Sequence, residues 1–416
     1  MAIGEQWKRS IEDKKLKDGV RALTKYDFDR AQDRTNTHSY KWDQVEKLFG
    51  NKDILPLWVA DMDFESPPAV KEALVRRAEQ GIYGYCILSN SYIDSITGWF
   101  RRRHDWEISK EWISQSPGIV TTLSLAVELF SEPGAEVILQ SPVYYPFYDV
   151  IKMNGRKVAD NPLVLRNGRY EMDYEQLEGL MKGGAKLLLL CSPHNPGGRV
   201  WEREELLRLG ELCLQYGVTV VSDEIHCDLA LPGHKHIPFA SLSKELSDIT
   251  LMALAPTKTF NLPGIHSSFI VASNPEMKRK FETRIKTLSL HMASFFAQDA
   301  VEAAYTEGDE WVDELITYIN GNIEYATSYL AEHLPQVKVM KPEATYLLWV
   351  DCRALGLNGA GLKKLMYQEA GVAFNEGSVY GSEGEGFLRI NVACPRSILQ
   401  AALERFSAAA AKVVVK

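Results

Sequence analysis

Four polar clusters in this chain each follow an apolar run: QSPGIVTT at 115–122, SPHNPGG at 192–198, SDEIHCD at 222–228 and APTKTFN at 255–261. Lys258 comes after the run TLMALAP, where an enclosed amine would have a depressed pKa and could form an imine with a carbonyl compound. A lysine snorkelling out of a surface loop fits the same position. Asp223 follows VTVVS; a carboxylate at that depth needs a cation, such as a protonated ring nitrogen, or several hydrogen bonds, and the plainer role is a helix cap. Asn195 offers an amide to a ligand oxygen or shapes a turn. Tyr144 and Tyr145 could lay a ring against a flat heterocycle or serve as core packing. Ile119, Val120 and Thr121 open an apolar helix after a Gly turn, so their free N–H groups suit a phosphate, although turns that bind nothing share the pattern. Arg389 stands inside GFLRINVAC. Burying that charge is costly without an anion, which would be a ligand carboxylate held in a two-pronged contact or a structural ion-pair partner.

Such groups act together only if a frame brings them to one edge. EVILQSP, KLLLLCSP, VTVVSDE, TLMALAP and SSFIVAS read as strands alternating with helical patterns, the signature of an α/β fold with a mostly parallel central sheet and helices on both faces. Open sheets of this kind collect ligands at the C-terminal ends of their strands, where the four clusters fall. Leu206, Leu209 and Cys213 keep helical spacing up to Gly217, a cap residue. Ser66 before Pro67 reads as a helix start leading into AVKEALVRRAEQG. Trp311, Leu315, Ile319, Ile323, Ala326 and Leu330 mark one long amphipathic helix ending near Pro335. The strands ATYLLWVD and GFLRINVA and the helix RSILQAALERF then make a smaller α+β layer. The expected division is an N-terminal segment, 1–54, packed with the small domain and lying across both lobes, a large domain, 55–300, and a small domain, 301–416. The tail AAAAKVVVK is expected to fray.

At 416 residues the chain exceeds what one core usually supports, so two lobes are expected. With 45% hydrophobic and 25% charged residues and a net charge of -8, it reads as an ordinary folded protein with no electrostatic footprint for nucleic acid. Arg101, Arg102 and Arg103 read as a solvated helix face. Six cysteines lie scattered without a C-x-x-C pair, which points away from zinc and from a disulfide scaffold and toward free thiols; no metal is expected. The first residues are too polar for a secretory signal, and no apolar run reaches the roughly 18 to 20 residues of a membrane span, so a cytoplasmic location is the default expectation.

Taken in order, Asn195, Asp223, Lys258 and Arg389 resemble the signature of fold-type I pyridoxal-phosphate (PLP) enzymes of the aspartate-aminotransferase fold. The segments LPLWVADMDF, the YGY at 83–85, SPVYYPFY, SPHNPGGR, SDEIHCDL, PTKTFNLPGIHSSF and LRINVACPR narrow the resemblance to the MalY/PatB group of cystathionine β-lyase-like C–S lyases, from about Tyr26 to Phe406. The resemblance implies that Lys258 joins the cofactor covalently, that Asp223 pairs with the pyridine nitrogen, and that Asn195 and His226 stand near the phenolic oxygen. It also stacks Tyr144 on the ring and gives the phosphate to Ile119, Val120, Thr121 and Thr257. Ala60, Tyr144, Asn195 and Arg389 would meet an amino-acid substrate, and Tyr85 would cross a homodimer interface to the neighbouring site. The implied reaction is β-elimination from cystathionine or another S-substituted cysteine. An aminotransferase and a regulatory, protein-binding role of a MalY-like kind are the alternatives. Two positions depart from the aspartate-aminotransferase pattern. His266 replaces an Arg eight residues after the lysine, leaving phosphate neutralisation to the helix, hydroxyls or His266 itself, and Glu376 in NEGSVYG replaces a Pro-Gly loop, which implies an altered substrate entrance.

Overall fold

The structure, a computed structural model, describes residues 25–414. Its central sheet has seven strands, β1 (Ile113–Ser116), β2 (Glu136–Leu139), β3 (Lys157–Asp160), β4 (Leu187–Cys191), β5 (Thr219–Asp223), β6 (Thr250–Leu254) and β7 (Ser268–Val271), in the spatial order β1-β7-β6-β5-β4-β2-β3. All neighbours are parallel except β7, which runs antiparallel to both β6 and β1. Two reversals cancel, so β1 points the same way as β6, and the four polar clusters leave the sheet from one edge.

Strand β4, LLLLC, is buried at every position because both faces are covered. Leu187, Leu189 and Cys191 join the core on one face with Leu123, Val127 and Phe147, and Leu188 and Leu190 join the other with Leu206, Leu209 and Cys213. This two-residue alternation fixes register, since a one-residue slip would exchange the faces. In the observed register Cys191, Asp223 and Ala253 lie side by side at the end of β4, β5 and β6.

Helix α1 spans Pro68–Glu79, and α2, Asn90–His104, takes its N-cap from Ser89. The start of α1 differs from expectation: Pro68 is the first helical residue and Pro67 the cap, while the Ser66 hydroxyl bonds the Asn261 carbonyl. Proline fits the first turn because its missing N–H would be unpaired there anyway. Helix α3 (Ile119–Phe130) follows β1, and α4 (Arg203–Tyr216) closes on Gly217 in the left-handed conformation. The long helix α5 spans Asp309–His333 and buries Trp311, Leu315, Ile319, Ile323, Ala326 and Leu330. It packs in a cluster with the C-terminal helix α6, Arg396–Val414. The expected fraying of the tail is therefore corrected at least through Val414, since Ala409 and Ala410 are buried in that cluster.

A second, antiparallel sheet has the order β8-β9-β11-β10, from β8 (Lys338–Met340), β9 (Leu347–Asp351), β10 (Asn375–Glu376) and β11 (Phe387–Asn391). Leu55 and Pro56 pair with Val372 and Ala373. Phe28 packs on Phe64, Trp311 and Tyr318, so the described part of the N-terminal segment lies against α5. Arg102 and Arg103 are tied to Asp309 and Asp313 rather than freely solvated.

Candidate active site

The shared strand edge opens into a cavity of about 500 Å³. Its lining includes Ala60, Ile119, Val120, Thr121, Tyr144, Asn195, Asp223, His226, Thr257, Lys258 and His266, so of the residues singled out from sequence for this chemistry all but Tyr85, Tyr145, Glu376 and Arg389 meet here. Arg389 touches it through Asn195, and Tyr85 does not reach it.

Asp223 ends β5, where its carboxylate is buried and receives one backbone N–H, from Ile225 at 3.2 Å. Burial pushes its pKa from 3.8 up to about 7; the Ile225 bond and the Lys258 charge oppose that rise without cancelling it. A cation set against this oxygen would offset the cost of ionising it. Lys258 is half-buried, and its Nζ donates to the Ala60 carbonyl at 2.5 Å. Burial, then the Arg389 charge, lowers its pKa to about 8, while Asp61 and Asp223 pull the other way. Part of its population is therefore the free amine near neutral pH, the form that attacks carbonyl carbon.

Helix α3 begins at the cavity wall, and the first-turn N–H groups of Ile119, Val120 and Thr121 have no partner within the helix. No acidic side chain occupies that turn, so its positive end is available to an anion. Thr257 adds a buried hydroxyl, and His266, exposed at φ 53°, stands on the same wall. His226 is neutral, since burial, Lys258 and Arg389 lower its pKa to about 3, and its Nδ1 is buried without a hydrogen-bond partner among the described residues.

Arg389, on β11, is buried, yet every partner is neutral: Nη1 donates to Asn195 Oδ1 at 3.0 Å, and Nη2 to the Trp58 carbonyl at 3.0 Å and Asn375 Oδ1 at 2.8 Å. Among the described residues it has no ion pair, and its Nε is unpartnered. Burying a guanidinium without a carboxylate is costly, and an anion set against it would offset that cost. Its bond to Asn195 Oδ1 also turns the Asn195 amide nitrogen away from Arg389.

The segment 57–64 is gripped from all sides. Beyond the Trp58 bond, Asn391 Nδ2 donates to the Val59 and Asp61 carbonyls, Tyr346 to Ala60, and Asn261 to Met62 and Phe64. Asp61 and Asp63 in turn hold Arg34 and the fully buried Lys41, whose Nζ lies 2.6 Å from Asp63. Despite its burial Asp61 stays ionised, its pKa lowered by Lys41 and Arg34. A second, open hollow of about 540 Å³ is lined by Arg34, Tyr40 and Asp61 and shares Ala60 and Lys258 with the cavity.

A family model described as aminotransferase class I and II matches residues 52–406. The chain belongs to that family. It is 48% identical over 383 residues to cystathionine beta-lyase PatB of Bacillus subtilis (strain 168), covering 92% of this chain and 99% of that one. It is 33% identical to Protein MalY of Escherichia coli (strain K12), covering 90% and 96%. Among solved structures it superposes on cystalysin from Treponema denticola, which contains a pyridoxal 5'-phosphate cofactor, with a TM-score of 0.90 at 36% identity over 93% of this chain and 99% of that one.

Within this aminotransferase-family fold, sequence reasoning missed Asn391, Tyr346 and Asn261, which hold the cavity floor. Asn391 was findable: two residues after Arg389 on one strand, it must share that face. Cys191, too, reaches the cavity because its register partner is Asp223. Glu376 does not face the cavity lining; it is buried against Ser378 and Lys363.

Proposed function

We propose that the protein is a PLP-dependent carbon–sulfur lyase, cleaving cystathionine or related S-substituted L-cysteines with water to a thiol, pyruvate and ammonia. The observation that carries this is the convergence of an amine with lowered pKa, a buried carboxylate lacking a cation, a helix start lacking an anion and an arginine lacking a carboxylate around one cavity. Those four deficits fit the four faces of PLP and its substrate. The similarity to a cystathionine beta-lyase and the cofactor held by cystalysin support the same reading.

Bound PLP supplies an electron sink that stabilises negative charge on the carbon beside the substrate amino group. Lys258 would hold the cofactor's aldehyde carbon through its Nζ, and as a free amine oriented by the Ala60 carbonyl it would accept the proton from the substrate carbon. Asp223 would pair with the ring nitrogen and favour its protonated form, the form in which the ring draws electrons most strongly. The start of α3 and Thr257 would hold the phosphate, Asn195 and His226 would meet the phenolic oxygen, and Tyr144 would pack on the ring. Arg389 binds the substrate carboxylate and so fixes which bond lies in line for cleavage.

The same reading assigns the large domain to 55–300, with the seven-stranded sheet, and the small domain to 301–416, with the 1–54 segment packing on the small domain; residues 1–24 of that segment lie outside the described residues. It also makes the protein a homodimer. Ile82, Tyr83, Tyr85 and Ile87 are 79%, 63%, 95% and 85% exposed on one segment without helix or strand, an apolar surface suited to a second copy. Among the described residues no helix is long and apolar enough to cross a membrane. The deciding experiment supplies L-cystathionine with no oxo-acid acceptor. Pyruvate and free thiol in equal amounts are expected; strict dependence on a 2-oxo acid would instead make it an aminotransferase.

A further inference from the structure

Behind the cavity wall lies a second layer of buried polar groups that the proposed reaction does not touch. Along 223–228, Asp223 and His226 line the cavity, whereas Glu224 and Asp228 engage partners outside it. Glu224 Oε2 meets His236 Nε2 at 2.6 Å, and its Oε1 accepts from Ser222 Oγ at 2.8 Å and the Phe239 N–H at 3.0 Å. Asp228 Oδ1 accepts from Trp99 Nε1 at 2.9 Å and faces His104 Nε2 at 2.7 Å; its Oδ2 accepts from the Thr259 hydroxyl at 2.7 Å. The His104 and His236 rings meet edge to face, 5.8 Å between centroids. Asp228, Glu224, Thr259 and both histidines are buried.

Thr259 is the residue after Lys258, and Asp228 stands five after Asp223. One carboxylate therefore joins the backbone that carries the amine to the backbone that carries the ring-nitrogen partner, and through Trp99 and His104 fixes both to α2. We propose that Asp228 is a positioning residue that sets the separation of the Lys258 amine from the Asp223 carboxylate. The inference rests on the PLP reading above. His104, Cys227 and Asp228 present donor atoms within 4.8 Å of one another, a spacing open to a cation, but both Asp228 oxygens are already occupied and burial holds the proton on the Cys227 thiol. Positioning is the use that the filled bonds favour. The Lys258 amine is sensitive to it because its proton affinity is a balance between Arg389 on one side and Asp61 and Asp223 on the other.

The test uses the holoenzyme. Thr259→Val removes the hydroxyl and little else, and Thr259→Ser restores it. The pH midpoint of the visible absorption of the lysine–cofactor link is expected to shift by about half a unit or more in Thr259→Val and to stay at the wild-type value in Thr259→Ser. A fall in melting temperature with an unmoved midpoint would reduce the contact to plain packing and overturn the proposal, as would equal shifts in both variants. If Thr259→Val does not fold, Thr259→Ala carries the same expectation and the same refutation. A wild-type protein without a visible band removable by hydroxylamine would sink the PLP reading itself, whereas a normal wild-type band with an unmoved variant sinks only this inference.

Discussion

Replacing Asp223 by asparagine should make the cofactor-free protein more stable and the cofactor-bound protein less so. The carboxyl is fully enclosed with one N–H donor, and burial holds its pKa at about 7 against an ordinary 3.8. Ionising it in the empty cavity therefore costs the folded state about 4 kcal/mol. The sign follows from an acid whose pKa is higher folded than unfolded. No penalty exists where both states are protonated, it grows as pH rises through the interval from 3.8 to about 7, and it is complete above that. Asparagine keeps the shape without the charge. After PLP is stripped with hydroxylamine, Asp223→Asn is expected to exceed wild type at pH 8 by up to about 4 kcal/mol, or roughly 5 °C in melting temperature for one transition of a chain this long. The gap should shrink toward pH 5. Adding PLP back should reverse the order, because only the carboxylate gains a cationic ring nitrogen. Melting curves at several pH values, with and without PLP, decide it. A stripped variant no more stable than wild type at pH 8, or a gap indifferent to pH, would refute the reasoning.

Lys258→Ala should lose the hydroxylamine-sensitive absorption and lower turnover by at least about 10²-fold from lost proton transfer alone; near-normal turnover would contradict its role. Arg389→Lys should reduce kcat/KM by about 10- to 100-fold, since a point charge replaces a fork and one charge-assisted hydrogen bond contributes about 1.5–3 kcal/mol. Steady-state kinetics on one substrate suffice. Lys41→Met leaves the buried Asp63 with Arg34 and Trp42 alone, and urea titration should show a loss of about 3 kcal/mol; an unchanged midpoint would mean the pair contributes nothing net.

Strand-end residues were the legible part of this site. Asp223, Asn195 and Lys258 each follow an apolar run, and a parallel sheet delivers such positions to one edge whatever the loops do. Arg389 was visible for a different reason, a charge inside an apolar strand. The hold on segment 57–64 was not, because it comes from donors far away in sequence, among them Asn391 and Tyr346. Local pattern carries no trace of such contacts. The start of α1 was misplaced because Ser66 suits a cap on propensity alone, while in the fold its hydroxyl is committed to Asn261. Tyr85 was singled out by resemblance only, and one chain by itself leaves its ring in solvent.

The stretch from Leu57 to Phe64 is synthesised early, yet the arginine and asparagine that grip it belong to the last strand. During translation, then, most of the large sheet can form and bury its leucines while segment 57–64 still lacks two of its fasteners. On the proposed reading, substrate recognition is thereby deferred to the end of synthesis, so a chain released before β11 would carry Lys258 and Asp223 without the arginine that holds an amino acid against them.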